Sequence, residues 1–466
     1  MASRMIRTQL CALTALLAVI TVAPVAEAQI IPFTPAGVEI DADGVLRARV
    51  FNDATGELTR QRFQAAQQSL SGDLQRPSDL RKVSLNRLEA HIGQRLAEGQ
   101  RLDDAIRNLA GLTRITHVFF YPESGDIVIA GPAEGFFMDA SGRMVGMQTG
   151  QAVLQLEDLL VALRAFAPDS PSTTTIGCSI DPTREGLARY QGTVAEIAAR
   201  TRSNQLAIQG NELNIMNALR EALGNQVVTI QGVPADSHFA RVLVEADYRM
   251  KMIGIGLEKP QVDIPSWAEK VKFRAVAKNA LQRWYFTPDY QRITVNPDET
   301  AMQLTGNGVK LIGADERVSA NGARSTSGSG DRASRNFTRE FTEHYTELAE
   351  KSPVYAQLRN LMDMSIVAAF IKEMDYYNQA NWKAELFGDE SRLPVQAYQA
   401  PTSVEPLVNG MWRDGQFAAP IGGGVNIQPT RALTVDNIQV DDIGKIDEVK
   451  TSVRLDHLAD GQWWWD

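Results

Sequence analysis

Residues 226–252 read QVVTIQGVPADSHFARVLVEADYRMKM, and this stretch sets the reading of the whole chain. QVVTI is a short β-rich run, and the Gly-Val-Pro-Ala-Asp segment after it is a loop. From Ser237 the apolar spacing switches to the helical period. Asp236 or Ser237 supplies the N-cap, the helix runs to about Met252, and Gly254 and Gly256 can end it. A strand handed through a tight loop to an amphipathic helix belongs to a fold that mixes both element types.

Working outward, NIMNALREALG reads as the helix before this unit. Further back, DPTREGLARYQGTVAEIAAR predicts a helix with Asp181 as N-cap and Pro182 at its first position. Leu187, Tyr190, Val194 and Ile197 then share one face. Leu154 to Phe166 predicts another helix. HVFFYPESGDIVIAG predicts strands at Val118–Tyr121 and Ile127–Ile129 joined by a Pro-Glu-Ser-Gly turn, and FFMDASGRMVG adds a short strand and a Gly turn. SLNRLEAHIGQRLAEG places Leu85, Leu88, Ile92 and Leu96 at helical spacing with Gly99 beyond the end. RLDDAIRNLAG repeats that plan through Leu102, Ile106 and Leu109, so the pair predicts a helical hairpin. Residues 119–146 align with 285–312 at a constant offset, Pro122 meeting Pro288 and Gly142 meeting Gly308. They predict two equivalent three-strand meanders; shared turn chemistry is the competing explanation.

The expected fold class is therefore α+β, a mixed core of short β-meanders and amphipathic helices over residues 81–316. Residues 29–80 are weakly periodic and read as an N-terminal extension. Residues 317–335, dense in Ser, Gly and Ala, read as a flexible linker. Phe337, Phe341, Tyr345 and Leu348, then Tyr355 to Met374, predict a helical hairpin over 336–375. Residues 376–466 are irregular, and their terminal Trp463-Trp464-Trp465 is expected to dock on a neighbouring surface.

The N-terminus carries Arg4 and Arg7, the apolar run Leu10–Val22, and the small-x-small triplet Ala26-Glu27-Ala28. This is the pattern of a secretory signal peptide over residues 1–28, and it predicts a secreted or periplasmic chain beginning at Gln29. No later stretch has the length of apolar residues that a membrane span requires. Cleavage would leave Cys178 as the sole cysteine, so no intrachain disulfide can form. Cys178 is then a small buried hydrophobe, an intermolecular bridge or a reactive thiol.

The chain has 466 residues, 44% of them hydrophobic and 22% charged, enough to bury a real core. Its net charge of −9 argues against a nucleic-acid binder, which would present a basic face.

At GPAEGF (131–136), LEDLLVALR (156–164), GCSIDPTREGLARYQ (177–191) and GVPADSHFARVLVEADYRMK (232–251) the chain resembles an uncharacterised secreted family of planctomycete-type bacteria, a domain of unknown function. The resemblance covers roughly residues 80–315. It implies secretion and a single core; it carries no activity, cofactor or catalytic residue.

Enzyme motifs are missing: there is no HExxH, GxSxG, Walker A loop or GxGxxG opening a helix. His91, His117, His238, His344 and His457 are not paired at the short spacing a zinc site uses. Glu340, His344 and Glu347 share one helix face, which a solvated amphipathic helix explains equally well. No cofactor or metal is expected. The candidate binding residues lie at the loop-to-helix junction, namely Asp236, Ser237, His238, Arg241 and Glu245, with the Cys178–Asp181 turn expected to border them. His238 and Arg241 near a helix start could complement a carboxylate or phosphate. Ordinary capping and the i,i+4 pair Arg241–Glu245 are the competing explanation. The expected function is a binding or interaction module of the envelope or extracellular space, with a protein or envelope polymer as partner. The alternative is an extracytoplasmic hydrolase acting on a peptide or polymer.

Overall fold

A computed structural model describes residues 37–466 apart from 50–52, 54, 273–279, 320, 322, 327–330, 409–411, 414–415, 418–419, 453–454, 456–457 and 460. The proposed signal peptide and Gln29 lie outside the described residues. Within them the class is α+β, built on two sheets.

The larger sheet runs from Gly37–Ile40 (β1) and Val45–Arg49 (β2) through Ser403–Val404 (β16), Gln226–Gln231 (β9) and Ile176–Asp181 (β8). It continues through Ile421–Ile427 (β19) and Ala280–Asp289 (β10) to Glu316–Val318 (β14) and Arg324–Thr326 (β15), with Gly308–Gly313 (β13) also on β10. Its pairs are antiparallel except β2–β16 and β10–β19. The second sheet is ordered Ile438–Val440 (β20), Arg292–Val295 (β11), Ala301–Thr305 (β12), His117–Tyr121 (β4), Asp126–Ala133 (β5), Ser78–Ser84 (β3) and Trp464–Trp465 (β21). Two hairpins stand apart, Phe136–Met138 (β6) with Met144–Gly146 (β7), and Trp412–Arg413 (β17) with Gln416–Phe417 (β18).

Side-chain alternation explains how the second sheet is covered. Val118, Phe120, Ile127 and Ile129 face the main core, while Phe119, Val128 and Ala130 face a separate cluster with Trp465 and Ile446 of helix Lys445–Ser452 (α10). The larger sheet carries helix His238–Gly254 (α6) on one face, over β8, β19 and β10. The helices Arg184–Arg202 (α4) and Glu212–Leu223 (α5) form a second cluster with Leu281 of β10, through Leu187, Tyr190 and Leu219. Helix Pro353–Glu373 (α9) packs on α6 and on Leu156–Ala165 (α3), and is buried from Val354 to Ile371. A helix buried on every side must satisfy its polar groups internally. Arg114 and Tyr290 accordingly hold Asp363 at 3.0 and 2.9 Å, and Asn360 donates to the Ala152 carbonyl.

Several expectations are corrected. Asp181 is not a helix cap: β8 pairs through Asp181 with Val227, and Thr183 caps α4 by accepting from the Gly186 amide at 2.9 Å. The second half of the expected hairpin near residue 105 is one turn, Asp104–Arg107. Beyond it Leu109 and Ala110 turn left-handed, and the Ala110 carbonyl accepts from the buried Arg81 at 2.7 Å. The segments 119–146 and 285–312 share strand positions but not pairing: β4 pairs with β5, whereas β10 pairs with β13 and β11 with β12. They are not equivalent meanders.

The extension 29–80 supplies β1, β2, helix Glu57–Ser69 (α1) and the start of β3. The segment 317–335 carries β15 and opens helix Arg332–Glu343 (α7), which packs on β13. The hairpin over 336–375 is instead three helices, α7, Tyr345–Lys351 (α8) and α9. Region 376–466 supplies β19 between β8 and β10, so it completes the larger sheet. The described residues from Gly37 to Asp466 form a single unit.

Candidate functional site

The seven expected residues fall into two groups, set apart by α6 itself. Ser237 caps this helix, its Oγ accepting from the Ala240 amide at 3.1 Å and donating to the Pro234 carbonyl at 2.7 Å. Asp236 is exposed, and its carbonyl accepts from the Tyr398 amide at 2.7 Å. His238, Arg241 and Glu245 recur every three to four residues and so point to one side. They line a cavity of about 290 Å³ with Val38, Arg49, Arg143, Gln155 and Tyr398.

Cys178 and Asp181 do not border this cavity. Cys178 faces α6 near Asp247 and Lys251, and Lys251 lies about 15 Å along the helix axis from Arg241. Burial pushes the Cys178 thiol well above its ordinary pKa, which fits a core side chain rather than a nucleophile. Asp181 pairs with Arg283 at 2.7 Å and Arg324 at 3.5 Å. The expected bordering of the loop by the Cys178–Asp181 turn therefore fails: the two lie toward different ends of α6.

In the cavity, His238 Nδ1 donates to both carboxylate oxygens of Asp158, at 2.9 and 3.0 Å. Asp158 is buried on α3. Burial alone would depress the His238 pKa, but the Asp158 charge and hydrogen bond, with Glu157 beside them, hold it above 6.5. The imidazolium form is thereby favoured. Its Nε2 has no protein partner among the described residues, and the side chain keeps 15% exposure.

Arg143 enters from the β6–β7 turn and is held by Glu245 and Gln357. That turn is itself fixed by Asp139, which accepts from Ser141 Oγ at 2.7 Å and the Arg143 amide at 2.9 Å. Glu245 is therefore spent on Arg143, and Arg249 stands 3.8 Å behind it. Arg241 donates to the Val38 carbonyl at 2.8 Å and sits 5.9 Å over the Tyr398 ring. Among the described residues neither Arg241 nor the exposed Arg49 pairs with a carboxylate. The Tyr398 hydroxyl donates to Glu157 at 3.1 Å, and burial raises the pKa of that carboxyl.

The cavity thus presents two unpaired guanidiniums and one imidazolium, the first charge surplus a small anion would need. Sequence reading missed Arg49, Arg143, Glu157, Asp158 and Tyr398. Glu157 and Asp158 lie within LEDLLVALR, but their role needed α3 to be placed beside α6. Among the described residues no group of three or more His, Cys, Asp or Glu could hold a metal ion. Glu340 and Glu347 simply form long ion pairs with an exposed His344, at 3.9 and 3.7 Å.

Residues 178–267 match the family model described as "Protein of unknown function (DUF1598)". The resemblance seen in GCSIDPTREGLARYQ and GVPADSHFARVLVEADYRMK holds over that segment. No curated protein and no solved structure matches the chain. The matched segment contains most of β8, and all of β9 and α6, hence His238, Arg241 and Glu245. Arg143, Asp158 and Tyr398 come from outside it. No helix among the described residues is long and apolar enough to cross a membrane.

Proposed function

We propose that this chain is an extracytoplasmic binding module, of the cell envelope or extracellular space, that recognises a carboxylate or phosphate group in the His238–Arg241 cavity. One observation carries the reading: among the described residues Arg49 and Arg241 have no carboxylate partner, beside an imidazole that Asp158 keeps inclined to charge. Arg241 is half-buried, where an uncompensated charge is unfavourable, and the exposed Arg49 stands at the same cavity, so a bound anion would compensate both. The compartment rests on the Arg4/Arg7, Leu10–Val22 and Ala26-Glu27-Ala28 pattern.

Isothermal titration with acetate and inorganic phosphate tests the site. Arg241→Ala combined with His238→Gln, whose amide can still donate to the buried Asp158, should keep the Tm within a few degrees and abolish binding. If the double variant unfolds, the segment is structural and the proposal fails. Intact mass of exported protein should begin at Gln29; an envelope product retaining Met1 rejects the compartment.

The hydrolase alternative is favoured only by the Asp158–His238 pair, which resembles an oriented acid–base couple. The serine on the cavity wall, Ser141, donates to Asp139 instead, and the Tyr398 hydroxyl donates to Glu157. Turnover of a p-nitrophenyl ester or phosphate, lost in His238→Gln, would favour that reading over simple binding.

A further inference from the structure

We propose that the anion this cavity takes is amphiphilic, with its charged head at Arg241 and His238 and an apolar tail in an adjoining arm; this rests on the anion-binding reading above. A second cavity, also about 290 Å³, shares Gly142, Gln155 and Tyr398 with the first. The two volumes therefore border on the same three residues.

Their chemistry differs in balance. The second arm carries six large apolar side chains, Met138, Met144, Leu156, Leu160, Leu393 and Val395, set among polar neighbours that include Asn108, Gln155 and Gln396. Leu156, Leu160 and Leu393 are buried and form its floor, while Met138 at the rim is 46% exposed. Its ionisable lining residues are Asp104, Glu157 and Arg107, so it offers no surplus of positive charge. An anionic head is drawn to the first cavity, and an apolar group gains by displacing water from the second.

The shared residues suit a threshold. Tyr398 is fixed at three points: its amide donates to Asp236, its hydroxyl to Glu157, and its ring lies under Arg241. Gly142 has φ of +90°, and a Cβ built there would meet nothing within 4 Å. No side chain therefore closes the passage from that side. A methylene and a water occupy similar volumes, so the arm has room for a tail of several carbons.

The test is titration of the full chain at pH 6 with acetate, butanoate, hexanoate, octanoate, octyl phosphate and 1-octanol. The weakest ligands are read by competition against octanoate. Affinity should rise about two- to four-fold per methylene from acetate to octanoate, and 1-octanol should not compete. Octanoate against octyl phosphate tells which head group the cationic end prefers. Val395→Trp, which fills the arm, should erase the chain-length dependence and leave acetate binding unchanged. Should Val395→Trp fail to fold, Met138→Glu at the exposed rim puts a repelling charge in the arm and should weaken octanoate but not acetate. Equal affinity for acetate and octanoate would overturn the amphiphile while leaving anion recognition intact. Competition by 1-octanol as strong as by octanoate overturns the assignment of the head. If no carboxylate or phosphate binds, the underlying reading fails with it.

Discussion

His238 holds the cavity's most adjustable charge, because Asp158 fixes both its orientation and its proton. Its folded pKa lies above the unfolded value of 6.5, so the folded protein binds this proton more tightly. The stability contributed by the pair is therefore full below pH 6.5 and lost as pH rises through the higher folded pKa. Anion affinity should follow the same course, and Asp158→Asn should move the His238 ring titration, followed by NMR, to lower pH. A ring titration unchanged by Asp158→Asn would refute the coupling. A second residue-scale feature lies at the other end of α6. Lys251 and Asp247 are both fully buried, 2.7 Å apart, and Lys251 Nζ also donates to the Ile180 and Gly423 carbonyls. Burial, opposed by Lys251, pushes Asp247 up to about 6. Lys251→Met alone leaves that carboxyl uncompensated and should cost about 3–5 kcal/mol by urea unfolding. Adding Asp247→Leu should recover most of the loss.

At the scale of elements, β19 shows why a strand can hide in a sequence. IGGGVNI has the composition of a loop, yet it pairs with both β8 and β10. Gly423 sits at φ of +123°, and a Cβ there would lie 1.9 Å from the Trp284 carbonyl oxygen. Only glycine lets the neighbouring backbone approach so closely. Gly423→Ala should therefore destabilise by more than about 2 kcal/mol, measured as a fall in the urea midpoint. Gly192 in α4 is the counterpart: it is exposed, in a helix, and a Cβ would meet nothing within 4 Å. Gly192→Ala should stabilise by about 0.5–1 kcal/mol. The contrast separates conformational need from mere composition. It also shows what was readable: α4, α5 and α6 announce themselves by 3.6-residue spacing, whereas β19 and β16 depend on partners far away in the chain.

Across the molecule, the last four residues close the second sheet. Trp464 and Trp465 pair with Val83 and Lys82, and Trp463 joins the main core at 5% exposure. Asp466 holds the fully buried Arg81 at 2.8 and 3.1 Å, and Arg81 lies 4.7 Å over Trp464. Removing Trp463–Asp466 strips two buried rings and leaves Arg81 without its carboxylate. The expected loss is about 3–5 kcal/mol, with unfolding still a single transition, because one apolar cluster runs from Val38 to Trp463. Two separate transitions in the truncated chain would overturn the single cooperative core, and an unchanged urea midpoint would show that the C-terminal strand is dispensable.

The sequence by itself determined the class of fold, the long helices, and the helix face that carries His238, Arg241 and Glu245. These are local properties: periodicity, capping at Ser237 and loop chemistry act within a few residues. Only the tertiary structure decided the rest. It brought Asp158 to His238, Arg143 to Glu245 and Tyr398 to Glu157, and it separated Cys178 and Asp181 from the cavity they were expected to border. The physical reason is that these partners lie between 80 and 241 residues apart along the chain. Their meeting depends on sheet order and on α3, α6 and α9 sharing one core, which no local pattern records.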